Sequence, residues 1–232
     1  MTPEMQMELI AAFEDAAQSD CRVLVIAGSG DVFCSGLDLS SLDEPQGETS
    51  IDHRAEAERI ARLFLALYEL PMPTIAAVHG AAIAGGSGLA FICDFTLAVP
   101  GAKFGFTEVR IGFVPAIVSA FLTLQLGDKK SRDLLLTGRV FDAGEAFRLG
   151  LVNEIVPPDE LAQRVQTLAE TLLANSPQSL AATKRLLAAQ KKEWLDAAIV
   201  EAIHANAYAR ETADFREGVA AFFEKRKPCW PK

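Results

Sequence analysis

Apolar residues recur at helical spacing at the start of the chain: Leu9, Phe13 and Ala16/Ala17 share one face between Thr2 and Ala17. Thr2 is placed to cap that helix, and Pro3 suits its first position. The period then vanishes. Arg22 to Gly28 carries an unbroken run of Val, Leu and Ile, which predicts a strand buried on both faces. Asp43 to Arg59 is polar, with Pro45 and Gly47, and predicts a loop running into a helix that ends near Leu70. Pro71-Met72-Pro73 forces extended backbone, and Thr74 to Val78 follows as a second buried strand. After a Gly/Ala-rich stretch from Gly80 to Gly88, Leu89 to Cys93 predicts a buried helix and Phe95 to Val99 a strand. Lys103 to Phe106 is a short extended piece, and Pro115 to Leu126 an apolar helix.

From Ser131 the pattern becomes helical. Segments are predicted at Ser131–Thr137, Ala143–Leu149 and Pro158–Ala174, with one short strand at Leu151–Val156. Ser176 to Phe223 reads as helix almost throughout, rich in Ala, Leu, Glu and Lys. Strands alternating with helices, followed by a helical tail, predict an α/β core over 1–174 and a helical region over 175–232. No Pro/Gly/Ser linker, low-complexity tract or clear tandem repeat interrupts them.

Composition narrows the partners. At 232 residues, half hydrophobic and 23% charged, the chain has the balance of a globular protein with a sizeable core. Apolar stretches fall well short of 18 residues, and the N-terminus lacks a basic segment followed by an apolar one, so neither a membrane span nor a signal peptide is expected. Cys21, Cys34, Cys93 and Cys229 lack CxxC spacing, which argues against a zinc site or disulfide framework and fits a reducing cytoplasm. The net charge of −9 repels nucleic acid and anionic membrane, and RNA binding is disfavoured further by the lack of a basic, aromatic-studded stripe. No ligand cluster suggests a metal or redox cofactor.

Two glycine-bearing turns each follow a predicted strand: Phe33-Cys34-Ser35-Gly36-Leu37-Asp38-Leu39 and His79-Gly80-Ala81-Ala82-Ile83-Ala84-Gly85-Gly86-Ser87-Gly88. Glycine allows close backbone approach, and a helix beginning near Gly85/Gly86 would aim free N–H groups at whatever lies above it. Two such N–H groups from separate turns can form a hole for a developing oxyanion. Glycine turns after strands are more often plain packing, so these two alone do not define a site.

The arrangement as a whole is more specific. Val32 to Leu39, Pro73 to Gly80 with the second turn, Cys93-Asp94, Ala102 to Glu108, Leu136 to Arg139, Ala146 through Gly150 to Val152, and Glu217-Gly218 to Phe223–Arg226 together resemble the enoyl-CoA hydratase/isomerase (crotonase) family, in order and over nearly the whole chain. The resemblance implies an α/β spiral of ββα turns with C-terminal helices that mediate homo-trimers, often paired into hexamers. It implies an acyl-CoA thioester substrate, coenzyme A being part of the substrate and no cofactor being separate. It places the thioester oxygen on the amides of Leu37 and Gly85, with Glu108 as the acid/base. Substrate contacts are implied for Ser35, Gly36, Asp38 and Leu39 in the first turn, Ala84, Gly86 and Gly88 in the second, Phe113 and Pro115 after Glu108, and Lys225 near the C-terminus. Metal ligands are implied nowhere.

Several positions depart from that pattern. Hydratases of the family commonly use two glutamates around one water; the second matches Glu108, but Gly88 stands at the first. Two carboxylates divide the proton work of hydration, whereas one suffices for a 1,3 proton shuttle, so Gly88 adds weight to an isomerase reading, or to a hydratase whose second group comes from elsewhere. The plain alternative for Glu108 is a surface carboxylate paired with Arg110; an apolar pocket would instead raise its pKa into a useful range. Pro115-Ala116-Ile117-Val118-Ser119 is bulkier than the glycine-rich stretch of many members, and Ser119 could hold water or bond its own backbone. Leu39-Ser40-Ser41 lacks the basic side chain some members place there, leaving coenzyme A phosphates to Lys225, Arg226 and Lys227. His79 reads as structural, the sequence identifies no catalytic partner for His53 or His204 and core or surface roles are expected for both, and Asp38 reads as a turn cap. Members usually open with a β-hairpin before the first helix; this sequence starts at the helix. The expected activity is hydration of a 2-enoyl-CoA, with Δ3,Δ2-enoyl-CoA isomerisation as the alternative and a non-catalytic acyl-CoA binder third.

Overall fold

The computed structural model describes residues 1–39 and 50–230, and the side chains of all of these except residues 50 and 51. Residues 43–49 of the polar segment predicted to run from loop into helix, and the Ser40-Ser41 pair, lie outside the described residues; from residue 50 the segment is helix. α1 (Pro3–Gln18) starts where expected, with Thr2 Oγ1 accepting from the Met5 N–H at 3.3 Å, and it buries Ile10 and Phe13. β1 (Leu24–Ala27) and β2 (Val32–Cys34) follow, then α2 (Ser50–Tyr68), β3 (Thr74–Val78), β4 (Ala81–Ile83) and α3 (Gly85–Ile92). Next come β5 (Phe95–Ala98), β6 (Lys103–Gly105), a single 3-10 turn (Glu108–Ile111) and α4 (Ala116–Thr137). β7 (Val140–Asp142), α5 (Ala143–Leu149), β8 (Glu154–Ile155), α6 (Leu161–Leu173), α7 (Pro177–Ala189), α8 (Lys192–Arg210) and α9 (Ala213–Phe223) complete the order.

The first six strands alternate between two four-stranded sheets, one ordered β1-β3-β5-β8 and the other β2-β4-β6-β7, and β7 joins β6 in the second before β8 returns to the first. Each ββα turn thus adds one strand to each sheet, and the chain winds as a spiral. All pairings are parallel except β6–β7, where Phe104 faces Phe141 in antiparallel register. The rings of Phe91, Phe104 and Phe141 gather at 4.8–6.4 Å between centroids, and Phe64, Leu63, Leu67, Ile75 and Leu97 seal the core.

Three expectations need correction. β1 is an edge strand with Val25 45% exposed, so its apolar run is not buried on both faces. The two helices predicted at 115–126 and 131–137 are continuous apart from a kink at Gly127 (φ 72°, ψ 171°), a backbone geometry glycine accepts freely. The near-continuous helix predicted over 176–223 divides into α7, α8 and α9, the last capped by Thr212, whose hydroxyl accepts from the Phe215 N–H.

Two long-range ties set the site. Asp94 Oδ2 accepts from Thr74 N and Oγ1 and from Lys184 Nζ at 2.6 Å, pinning α7 to β3. α9 lies directly against the 3-10 turn that carries Glu108. A Cβ on Gly218 would collide with the Ile111 carbonyl, and one on Gly112 (φ +67°) with that of Asp214, so two glycines permit this contact.

Candidate active site

The two glycine turns abut. Gly36 has φ +90°, and a Cβ there would stand 2.9 Å from the Ala84 Cβ and 3.5 Å from the Gly85 nitrogen. Ala84 caps α3 in a conformation rare for alanine (φ 53°, ψ −125°), and its N–H donates to the Gly105 carbonyl at 2.7 Å. Such strain persists only where the surroundings over-determine it, and it concentrates at functional sites. The first intrahelical bond of α3 runs from the Gly88 N–H to the Ala84 carbonyl, so Gly85 lies in the first turn with its N–H free of helical pairing. The Leu37 N–H likewise makes no hydrogen bond to another described residue, although its neighbours are held: the Met1 nitrogen donates to the Gly36 carbonyl at 2.5 Å and the Asp38 N–H to the Met1 carbonyl. Gly86 contributes through packing, because a Cβ there would strike the Cys34 carbonyl. Ser87, which the sequence did not single out, anchors the turn: its buried Oγ lies 2.6 Å from the Ala82 carbonyl and accepts from the Gly105 N–H at 3.1 Å.

Both turns open on a cavity of about 620 Å³. Of the residues the sequence proposed, Ser35, Leu37, Asp38, Leu39, Ala84, Gly85, Glu108, Phe113 and Pro115 line it together. Gly36, Gly86 and Gly88 stand behind that lining, and Lys225 lies outside it just beyond α9, whose Phe222 and Phe223 do reach the wall.

Glu108 opens the 3-10 turn and faces the cavity. Its Oε2 is sealed from solvent and has no hydrogen-bond partner among the described residues. Burial is the main cause that lifts its pKa from 4.5 to about 7; a backbone hydrogen bond within the residue opposes it. No ion pair joins it to Arg110, which is exposed, so the surface-pair alternative is set aside. A carboxyl with that pKa is populated as both acid and base near neutrality, which a proton-transfer group requires.

Gly88 explains the missing carboxylate in steric terms. A Cβ at this position would lie 2.5 Å from Val118 Cγ1 and 3.2 Å from the Phe64 ring. Val118, in α4, fills the space a larger side chain would need. The bulky Pro115–Ser119 segment and the bare Gly88 are thus two halves of one packing solution. Ser119 Oγ donates to the Ala116 carbonyl at 2.6 Å, so it serves its own backbone. His79 lies 2.9 Å from the Gly30 carbonyl and is structural, whereas His204 does have a partner, Arg54 at 3.2 Å.

Several wall residues escaped the sequence reading, and one of them places a polar side chain in a buried stripe. Asn206 is buried in α8 and lines the cavity. A signal was present: Leu195, Ile199, Ala202, Asn206 and Ala209 recur at spacings of four and three, which puts a polar residue in a buried stripe. Among the described residues no group of three or more His, Cys, Asp or Glu side chains could hold a metal ion, and no helix is long and apolar enough to cross a membrane.

With this fold and these turns described, the family follows. The chain matches the enoyl-CoA hydratase/isomerase family over residues 1–232, and it belongs to that family. A Thermus thermophilus relative, provisionally named an enoyl-CoA hydratase, is 43% identical over 98% of this chain and 90% of its own length. A crotonyl-CoA hydratase of Syntrophomonas wolfei is 35% identical over 89% of this chain and 79% of its own. The crystal structure of an enoyl-CoA hydratase from Mycobacterium avium superposes with a TM-score of 0.87 at 33% identity, covering all of this chain and 88% of that one.

Proposed function

We propose that this enzyme hydrates a 2-enoyl-CoA thioester, with Glu108 as its acid/base and the Leu37 and Gly85 amides as its oxyanion hole. The observation that carries the reading is Glu108 itself: a carboxyl whose Oε2 is sealed and bonds to no described residue, with a pKa raised to about 7, in one cavity with both free-amide turns. Glu108 as carboxylate takes a proton from water while the water oxygen bonds to Cβ. The electron pair of the double bond moves onto the thioester oxygen, where two N–H groups stabilise the enolate. The same carboxyl then delivers that proton to Cα, completing addition of H and OH with one group. Gly88 does not prevent this cycle, because the single carboxylate is regenerated. The named relatives are hydratases, and isomerisation is the less favoured reading.

Further parts of this reading concern binding and assembly. Lys225 is taken to approach the coenzyme A phosphates, with 1–174 as the catalytic core and 175–232 as the region of subunit and coenzyme A contacts. Leu186, Leu187, Trp194, Val200 and Tyr208 expose large apolar side chains on that region, which supports a homo-trimer or hexamer. The four cysteines are free thiols, in keeping with a cytoplasmic setting. Incubation with crotonyl-CoA, following the conjugated thioester absorbance, tests the activity. Loss of signal with the parent enzyme, and a drop of about 10²–10⁴-fold in Glu108→Gln, is expected. Appearance of conjugation from a 3-enoyl-CoA with crotonyl-CoA untouched would replace hydration by isomerisation.

A further inference from the structure

Beside α2 the cavity wall is apolar, formed by Ile60, Leu63 and Phe64, with Ile117 and Val118 from α4. Asn206 interrupts it. It is 4% exposed and lines the cavity, yet its side-chain amide bonds to no described protein group and its Oδ1 is sealed. One helical turn further along α8, and on the same face, Arg210 is buried with its Nε and Nη2 both unpartnered. Its Nη1 donates to Glu56 Oε2 at 2.7 Å. Glu56 stands one turn before Ile60 on α2, so the ion pair joins the two helices one turn away from the lining residues Ile60 and Asn206. Arg59 sits 3.8 Å from the other Glu56 oxygen and donates to Gln6 Oε1.

A buried polar group left without a partner destabilises the fold. Here the unused groups lie on adjacent turns of one helix, and the first of them borders the substrate cavity. The Arg210 N–H groups are sealed and lie outside the cavity lining; with Asn206 Oδ1 sealed as well, what the amide offers the cavity is its NH₂, two donors. Their complement is an oxygen acceptor. A plain alkyl chain placed against Asn206 would leave its amide dehydrated and unpaired, so the wall discriminates against such a chain.

We propose that Asn206, one helical turn from the Arg210–Glu56 pair, is a recognition subsite for an sp² oxygen carried on the acyl part of the substrate, a keto or carboxylate oxygen. The preferred substrate is therefore an oxygenated enoyl-CoA rather than a simple fatty one. This rests on the acyl-CoA reading above and adds the class of acyl group.

The test compares kcat/KM for trans-2-hexenoyl-CoA, its 5-oxo derivative and the chain-matched dicarboxylic trans-2-hexenedioyl-CoA. The parent enzyme is expected to favour at least one oxygenated substrate by about 10–100-fold over the alkyl one. Which of the two is favoured distinguishes ketone from carboxylate. Asn206→Leu, similar in size, should erase the preference, and Asn206→Asp should turn it against the dicarboxylic substrate. Circular dichroism establishes that both variants are folded. Preference for hexenoyl-CoA in the parent enzyme, or a ratio unmoved by Asn206→Leu, overturns the proposal. If none of the three is hydrated, the hydratase reading fails, and calorimetric affinities for adipoyl-CoA, 5-oxohexanoyl-CoA and hexanoyl-CoA decide the subsite separately. Equal affinities for all three would sink it.

Discussion

Replacing Glu108 with glutamine removes an ionisable group whose charged form the fold disfavours, and this has a consequence for stability as well as for rate. The carboxyl titrates at about 7 in the folded protein against an ordinary 4.5, chiefly because burial disfavours its charge. Below pH 4.5 the group is protonated in both folded and unfolded chains, and it exacts no penalty. Between 4.5 and 7 the unfolded chain ionises first, so folding stability falls as pH rises. Above 7 the penalty is complete, at about 3 kcal/mol. Glu108→Gln cannot ionise and escapes it. Relative to the parent, the variant should therefore gain about 3 kcal/mol between pH 4 and pH 8, on the order of 6–12 °C in melting temperature for a chain of this size. Thermal or urea unfolding of both proteins across that range measures the change. Comparing the two pH values cancels the fixed difference between an amide and a neutral acid. A stability difference that stays constant with pH would refute the placement of Glu108 in a desolvated pocket. The parent enzyme's rate should rise with pH through about 7 as the base form appears, and the variant should lack that limb.

Other perturbations probe the surroundings of this carboxyl. Gly88→Glu should destabilise the fold by about 1–3 kcal/mol through the clash with Val118, and adding Val118→Ala should restore stability and raise crotonyl-CoA hydration above the single variant. Urea unfolding with the hydration assay reads both; a fully stable single variant would contradict the packing. Gly218→Ala should push α9 off the Ile111 carbonyl, costing about 1–3 kcal/mol and lowering kcat without touching any reacting group. Unchanged kcat would show that α9 does not position the 3-10 turn. Glu56→Gln strands the Arg210 guanidinium, whose side chain is 2% exposed, and should cost about 3–5 kcal/mol; adding Arg210→Met should recover most of it. Denaturant midpoints of the two variants decide this, and a neutral Glu56→Gln would mean the pair is solvated.

Some features were invisible along the chain for physical reasons. β2, β4 and β7 have three residues each, too few for a period-2 pattern to appear, yet they make up most of the second sheet. A run such as Val23–Ile26 signals strand but not its place in the sheet, so the exposed edge at Val25 emerged only from the pairing order. Gly88 was legible as an anomaly, while its cause, the Val118 methyl on the next α-helix of the chain, was not.

What the sequence determined by itself was local or carried by motif: the Thr2 cap, the strands at 74–78 and 95–99, the two glycine turns, the family resemblance, and the candidacy of Leu37, Gly85 and Glu108. Those signals are encoded within a few residues, because caps, turns and strand runs depend on neighbours along the chain. The tertiary structure alone decided that the two turns meet, that a Glu108 oxygen is sealed with no partner among the described residues, that Val118 occupies the space at Gly88, and that Asn206 faces the same cavity. Each of these depends on contacts between distant segments, and burial of a polar group becomes a functional signal only when the groups around it are known.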